Sequence, residues 1–355
     1  MPARLRVLVV DDSRLMRKLI ANMLTSDPGI EVVGAAGDGV EAIKLASELR
    51  PDVITLDIEM PGMNGLEVLG YVMSEMPTPV IVVSGLTAPE VAIQSLQLGA
   101  VDFVLKPSGP ISIDLYKIQE DVLTKVKMAP LARLSRPPTP RLPEPPAAVK
   151  MTRPALASRS VVGIAASTGG PQALERLLPR LPADLPAALI IVQHMPPGFT
   201  RSLAQRINRY CAIAVKEATH RERVQVGRAY VAPGGHHLTV RSSPDSPGEG
   251  FIHLDQSPPI GGLRPSANVT LRSVAEVYGP RAIGVILTGM GSDGREGLKL
   301  VKERGGVTIA QDQATSVIFG MPRAAIESGC VDKVAPLSDI AAEIVAQLRA
   351  QQNRR

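Results

Sequence analysis

Ser167 follows an apolar run inside Gly163-Ile164-Ala165-Ala166-Ser167-Thr168-Gly169-Gly170. The small residues around it permit a sharp strand-to-helix turn, close to the G-x-S-x-G nucleophile elbow with Ala165 in place of the first glycine. Such a turn exposes the hydroxyl and aims helix N-terminal N–H groups at one spot, which suits an oxyanion. Alone, the string also fits a helix cap or a phosphate cradle. Two further strand ends narrow the choice. Leu189–Gln193 runs into His194, and Ala282–Thr288 runs into Gly289-Met290-Gly291-Ser292-Asp293-Gly294. A hydroxyl, an imidazole and a carboxylate at three strand ends are what acyl transfer needs: the ring takes the serine proton, and the carboxylate fixes its tautomer and steadies its cation. The order Ser, His, Asp differs from the Ser, Asp, His order of α/β-hydrolases. His220, His236, His237 and His253 compete for the role of base. His236 and His237 follow the turn Ala232-Pro233-Gly234-Gly235 and are expected to be solvated loop residues. A zinc site from His194, His236 and His237 would lack a clear acidic partner.

A second constellation lies near the N-terminus. Asp11 and Asp12 end the first apolar run, Asp57 the third, Ser84 the fourth and Lys106 the fifth, before Pro107. In a parallel sheet these ends share one edge, where ligands collect. Clustered carboxylates repel one another and favour a hard divalent cation such as Mg²⁺. An Asp beside that ion can accept a phosphoryl group, because the metal and an ammonium neutralise the oxygens of the transition state. The Ser84 hydroxyl can then hydrogen-bond the phosphate.

The elements that must position these residues are legible as alternating patterns. Leu5–Val10, Val32–Ala36, Val53–Leu56, Val80–Val83 and Val101–Leu105 are short apolar runs, with helical segments such as Gly39–Leu49 and Pro89–Leu98 between them. Five strands alternating with helices predict a doubly wound parallel sheet. Proline and arginine then dominate: Pro137, Pro138, Pro140, Pro143, Pro145 and Pro146 interleave with Arg136 and Arg141. That composition predicts an extended, semi-rigid linker. Strand–helix alternation resumes at Ser160 and predicts a second α/β domain with a mostly parallel sheet. Arg228–Ala232 and His237–Arg241 are expected to pair across the Pro-Gly-Gly turn. The expected division is 1–125 for the first domain, 126–158 for the linker and 159–350 for the second domain.

Composition excludes several classes. The chain has 355 residues, enough for about two domains, and 45% hydrophobic residues, enough for two cores. Aromatics are 3% with no Trp, so no stacking platform for single-stranded nucleic acid is expected. The net charge of +5 sits largely in the linker and the tail, without a basic recognition helix. Cys211 and Cys330 have no metal-ligand spacing and suggest no disulfide framework. No apolar stretch approaches about 20 residues and nothing reads as a signal peptide, so a cytoplasmic protein without membrane insertion is expected.

The first 125 residues resemble the receiver domain of bacterial two-component response regulators, a flavodoxin-like fold, through VVDDS (Val9–Ser13), LDIEMPGMNG (Leu56–Gly65), VVSG (Val82–Gly85) and KP (Lys106–Pro107). The resemblance implies that Asp57 is the phosphoacceptor, that Asp12 and Asp57 with the Glu59 carbonyl hold Mg²⁺, and that Asp11, Ser84 and Lys106 support the site. It also implies a cis bond at Lys106–Pro107. From Ser160 onward the chain resembles the Rossmann-like catalytic domain of the chemotaxis protein-glutamate methylesterase and glutaminase (CheB) family. The shared strings include ASTGGP (Ala166–Pro171), QHMPPGFT (Gln193–Thr200), APGGHH (Ala232–His237), RPSAN (Arg264–Asn268), VILTGMGSDG (Val285–Gly294) and FGMP (Phe319–Pro322). The likeness departs at Asn268, where members often carry Asp, and in Gly261-Gly262-Leu263.

This second resemblance implies a triad of Ser167, His194 and Asp293, with backbone N–H groups of Thr168 and Met290 as the oxyanion hole. It implies hydrolysis of glutamate methyl esters, and deamidation of glutamines, on methyl-accepting chemoreceptors. A receiver that shields the site until a chemotaxis histidine kinase phosphorylates Asp57 is implied as well. The hydrolytic step itself would need no cofactor, and a monomer is expected. Three rivals remain: a DNA-binding response regulator, a catalytically idle docking module, and a nucleotide-binding domain using Ala166–Gly170 as a phosphate cradle.

Overall fold

The computed structural model describes residues 3–85, 89–106, 114–134, 157–243 and 246–353. The chain divides into two compact units, 1–140 and 141–355, each described by itself. The first unit runs β1 (Leu5–Val10), α1 (Arg14–Thr25), β2 (Ile30–Ala36), α2 (Gly39–Leu49), β3 (Val53–Asp57), α3 (Gly65–Glu75), β4 (Val80–Ser84), α4 (Pro89–Gln97), β5 (Asp102–Leu105) and α5 (Asp114–Met128). Its five strands stand in the order β2-β1-β3-β4-β5, all parallel, which is the flavodoxin-like doubly wound sheet. β3 and β4 are buried along their whole length, as continuous apolar strands covered on both faces must be. The helices start where polar caps satisfy orphan N–H groups: Ser13 for α1, Asp38 for α2, and an Asn64/Glu67 capping box for α3.

The second unit runs β6 (Val161–Ala166), α6 (Gly170–Leu177), β7 (Ala188–Gln193), α7 (Phe199–Asn208), β8 (Ala214–Glu217), β9 (Arg228–Val231), β10 (His237–Ser243), β11 (Ser246–Asp255), α8 (Ala267–Tyr278), β12 (Ala282–Ile286), α9 (Arg295–Glu303), β13 (Val307–Gln311), α10 (Met321–Glu327), β14 (Lys333–Ala335) and α11 (Leu337–Asn353). Seven strands form one parallel sheet ordered β14-β13-β12-β6-β7-β9-β8. β6 is the first strand made and lies in the middle. The chain fills one side of it, then returns to fill the other, so the direction of winding reverses between β6 and β12. The carboxyl ends at such a reversal open the crevice where ligands bind. The core over this sheet is aliphatic, with Tyr230 and Tyr278 as its largest side chains. Gly163 shows how close the packing is: a Cβ there would meet Leu271 Cδ2 of α8 at 2.6 Å. Burying a side chain such as Leu271 contributes about 2 kcal/mol.

Two sequence expectations are corrected. β9 and β10 do not pair with each other. β9 lies in the large sheet between β7 and β8, whereas β10 pairs antiparallel with β11 in a separate two-stranded sheet. The bounds expected for the linker also move. Residues 126–128 are the end of α5 and Ala129–Leu131 form a 3₁₀ turn, with Val126 and Ala129 fully buried in the first core. At the other end, the Ser158 N–H donates to the Val224 carbonyl in the second unit. Proline content marks the middle of the segment, but Val126 and Ala129 are apolar and have a face to bury. The Lys106–Pro107 bond lies outside the described residues. No helix among the described residues is long and apolar enough to cross a membrane.

Candidate active site and phosphorylation site

Each proposed group of the second unit sits just beyond a strand of the sheet. Ala166 and Gln193 are register partners at the ends of β6 and β7. Ser167 and His194 therefore follow side by side on strands about 5 Å apart. The His194 N–H donates to the Ala166 carbonyl at 3.1 Å. The buried Gln193 amide donates to the carbonyls of both Ser167 (2.9 Å) and His194 (3.2 Å), tying the two turns together. Gly169, with φ of +76°, adopts the left-handed conformation that lets α6 start three residues after Ser167, at Gly170. The Ser167 N–H donates to the Thr288 carbonyl, which fixes the turn against the end of β12.

His194 Nε2 lies 2.9 Å from Asp293 Oδ2, with both side chains over nine-tenths buried. An ionised carboxylate only accepts, so Nε2 carries a proton, which in the neutral ring leaves the lone pair on Nδ1. Asp293 thus engages Nε2, whereas chymotrypsin-like triads place the acid at Nδ1. Among the described residues the Ser167 hydroxyl makes no hydrogen bond to the ring. A nucleophile–base contact of this kind often tightens only when substrate binds.

Asp293 is held from several directions. Its Oδ1 accepts from the Ser266 hydroxyl (2.9 Å) and the N–H groups of Asn268 (3.0 Å) and Gly294 (3.0 Å). Its Oδ2 accepts the Ala267 N–H at 2.6 Å as well as His194. Asn268 Oδ1 in turn accepts from Gly294 and Gly297, pinning the start of α9. Burial works to raise the Asp293 carboxyl, but His194 and the Ala267 and Asn268 amides hold it below the usual carboxylate range. A carboxyl depressed on folding stabilises the fold above its unfolded value, and that contribution is lost as pH falls through the folded value. Asp293→Asn is therefore expected to flatten the acid-side loss of stability of this unit, followed by circular dichroism. Identical acid slopes in the two proteins would contradict the assignment.

The competing histidines have other partners. His220 Nδ1 accepts the Leu254 N–H, and its ring lies 4.8 Å from that of His253. His236 contacts Gln256. His237 is 2% exposed, so the expectation of a solvated loop residue is wrong for it. It opens β10, and its ring faces Pro258 and Ser266. The imidazoles of His194, His236 and His237 thus engage three different sets of partners.

The Gly289 carbonyl accepts from Gly320 and Met321, and the Gly289 N–H donates to Ile318. The next N–H, that of Met290, has no acceptor among the described residues. Thr168 is buried, and its carbonyl accepts the Thr288 hydroxyl at 2.9 Å. Gly289 packs so closely that a Cβ would meet Met321 Sδ at 2.4 Å and Ser167 Cβ at 2.8 Å. Gly289→Ala is expected to destabilise the unit by about 1–3 kcal/mol. It should also displace Ser167, lowering hydrolysis. An unchanged urea midpoint would contradict this reading of the packing.

Ser266, Ala267 and Gln193 were not singled out from sequence, Asn268 was noted only as a departure from the resemblance, and His237 only as a competing base or zinc ligand. The RPSAN string carried the signal for three of them, but its distance in sequence from Asp293 hid the contact.

In the first unit, Asp11, Asp12 and Asp57 each offer an oxygen within 4.8 Å of the others. Asp11 and Asp57 are buried, while Asp12 is exposed. Lys106 Nζ lies 2.6 Å from Asp57 Oδ2 and 3.0 Å from Asp11 Oδ2. The second contact is ionic but not aligned as a hydrogen bond, so Asp11 Oδ2 is a buried oxygen without a hydrogen-bond donor. Three converging carboxylates with one such oxygen fit a hard divalent cation. Burial raises the Asp57 carboxyl against the opposing pull of Lys106. Burial alone would lower the Lys106 ammonium, but the negative charges of Asp57 and Asp11 against it hold it above its ordinary value. Ser84 is buried at the end of β4, beside Asp57 in the next strand. Gly65 explains part of the LDIEMPGMNG string: a Cβ there would lie 2.1 Å from the Asp57 carbonyl oxygen. Arg17, another residue the sequence reading missed, donates to the carbonyls of Asp11 (2.6 Å) and Asp12 (2.9 Å) and fixes the acidic turn.

The family model described as CheB methylesterase matches residues 162–344, and that of the response regulator receiver domain matches residues 7–115. The protein named protein-glutamate methylesterase/protein-glutamine glutaminase in Pyrococcus horikoshii is 46% identical, over 97% of this chain and 94% of its own. One of the same name in Geobacillus kaustophilus is 49% identical, over 96% of this chain and 98% of its own. The crystal structure of the Thermotoga maritima CheB methylesterase catalytic domain is 44% identical, with a TM-score of 0.51, covering 53% of this chain and 97% of that one.

Proposed function

Because this chain belongs to the CheB methylesterase family and carries a response-regulator receiver domain, we propose that it hydrolyses glutamate methyl esters on chemoreceptors once Asp57 is phosphorylated. Deamidation of receptor glutamines at the same site is part of the proposal. The observation that supports it is the His194–Asp293 pair at 2.9 Å, with Ser167 and His194 each following the paired ends of β6 and β7.

In the proposed reaction, Ser167 Oγ attacks the γ-carbonyl of the ester while His194 Nδ1 takes its proton. The oxyanion is held by N–H groups of Thr168 and Met290. The protonated ring gives its proton to the departing methoxide, and methanol leaves. Water then repeats the sequence on the acyl-enzyme, releasing glutamate and restoring Ser167. Asp293 keeps the proton on Nε2 and stabilises the imidazolium that forms twice per turnover.

In the receiver, Asp12 and Asp57 would hold Mg²⁺ with Asp11 in support, and the bound ion would supply positive charge for the phosphoryl oxygens. Lys106 and Ser84 stand ready to contact the phosphoryl group on Asp57. A chemotaxis histidine kinase is the proposed donor, and the protein is proposed to act in the cytoplasm as a monomer.

The test is methanol release from receptor-bearing membranes, with and without acetyl phosphate. The wild-type rate is expected to rise with the phosphodonor by about 10-fold or more, ~1.4 kcal/mol. Asp57→Asn should keep the unstimulated rate and lose the rise. Equal stimulation of the two proteins would rule out Asp57 as the switch.

A further inference from the structure

His237 lies outside the three groups proposed for the chemistry, yet it is buried and its ring is hydrogen-bonded at both nitrogens. Nε2 is 3.2 Å from the Pro258 carbonyl oxygen, which can only accept. Nδ1 receives the Ser266 N–H at 3.2 Å, which can only donate. The two partners together fix one neutral tautomer, with the proton on Nε2 and the lone pair on Nδ1. A second link ties the same two segments, as the Gly235 N–H donates to the Arg264 carbonyl at 3.0 Å.

Ser266 is where this matters. Although it precedes α8, its side chain does not cap that helix. Its hydroxyl donates to Asp293 Oδ1, and the N–H groups of the next two residues donate to the same carboxylate. The backbone orientation at Ser266 sets where all three donors converge. His237 holds that orientation by the Ser266 N–H itself. The path is continuous: Pro258 carbonyl, His237 ring, Ser266, Asp293 carboxylate, His194 ring.

We propose that His237 is a positioning residue for the hydrolytic reaction, fixing through Ser266 the cradle that aims Asp293 at His194. This rests on the esterase reading above and deepens it. His237 touches no reacting atom; its effect passes through the placement of the carboxylate, and a misplacement of about 1 Å can cost up to about 100-fold in rate.

The side chains of Asn and Gln separate its two bonds. His237→Asn can put Oδ1 where Nδ1 was and keep the acceptor for Ser266. His237→Gln can put its amide where Nε2 was, keeping the donor to Pro258 and losing that acceptor. The experiment measures kcat and KM for methanol release by the full-length, phosphodonor-activated protein, the thermal midpoint, and the ¹⁵N and proton signals of the His194 ring. His237→Gln is expected to lower kcat about 10- to 100-fold with KM within about twofold, and to broaden or shift the His194 Nε2–H signal. His237→Asn is expected to recover most of both. Wild-type kcat in His237→Gln would overturn the proposal. So would equal losses in both variants that follow the thermal midpoint while the His194 signal stays unchanged. If His237→Gln does not fold, His237→Leu, which also removes the acceptor for the Ser266 N–H, is read in its place, and an unaltered kcat and His194 signal there also refute the proposal. The ring signal needs no turnover, so failure of the esterase reading, seen as retained hydrolysis in Ser167→Ala, stays distinguishable from failure of this one.

Discussion

Ser167→Ala is expected to reduce methanol release by about 10⁵-fold or more, ~7 kcal/mol of transition-state stabilisation. The loss is large because the residue would supply the bond-forming oxygen, and no neighbour can substitute. Its side chain is partly open at the end of β6, in a turn fixed by Thr288, Gln193 and Gly170. Those anchors use the backbone of Ser167, not its hydroxyl. The alanine variant should therefore fold with an unchanged thermal midpoint and bind methylated receptor membranes as wild type does. Residual hydrolysis would come from the oxyanion donors alone. Turnover within about tenfold of wild type would sink the nucleophile assignment.

Asp293→Asn is expected to cost about 10⁴-fold in kcat, for two separable reasons. The amide can no longer hold the proton on His194 Nε2 by charge, so the lone pair is no longer fixed on Nδ1. Every neighbour of Asp293 besides His194 is a donor: the Ser266 hydroxyl and the N–H groups of Ala267, Asn268 and Gly294. An amide NH₂ turned either way meets a donor. The variant should therefore also lose about 1–3 kcal/mol of stability near neutral pH. Pre-steady-state acylation and urea unfolding read the two effects separately. Acylation at the wild-type rate would remove Asp293 from the mechanism, whatever the stability.

The sequence made parts of this molecule legible because local pattern and tertiary role coincide there. Continuous apolar strands such as Val53–Asp57 and Leu189–Gln193 can exist only in a sheet covered on both faces, and the residues that end them fall on one edge. Other parts were not legible, for identifiable reasons. β8 has four residues with two charges among them, and its place at the edge of the sheet comes from pairing with β9, not from its own pattern. β10 carries a plain strand signal, but a short strand does not announce which sheet it joins, so its pairing was misassigned. The burial of His237 follows from that same pairing and from the 258–266 segment folding over it. α8 was missed because Val269, Thr270, Val274 and Val277 weaken its helical signal, although packing against β6 holds it in place. The Asp293 cradle was invisible because its donors lie in a segment that sequence spacing does not connect to the aspartate.

The strand order of the second unit also has a consequence in time. The middle strand, leading to Ser167, is synthesised first, while its neighbour on one side, leading to Asp293, is synthesised only after all the strands on its other side. Domains assemble as the chain emerges, and parallel pairing between distant segments comes late. A chain still on the ribosome and halted before residue 293 would hold the hydroxyl and the ring but nothing to orient them. Competence to hydrolyse would thus arrive only when the sheet closes from its far side, and a prematurely terminated product would be silent toward receptors.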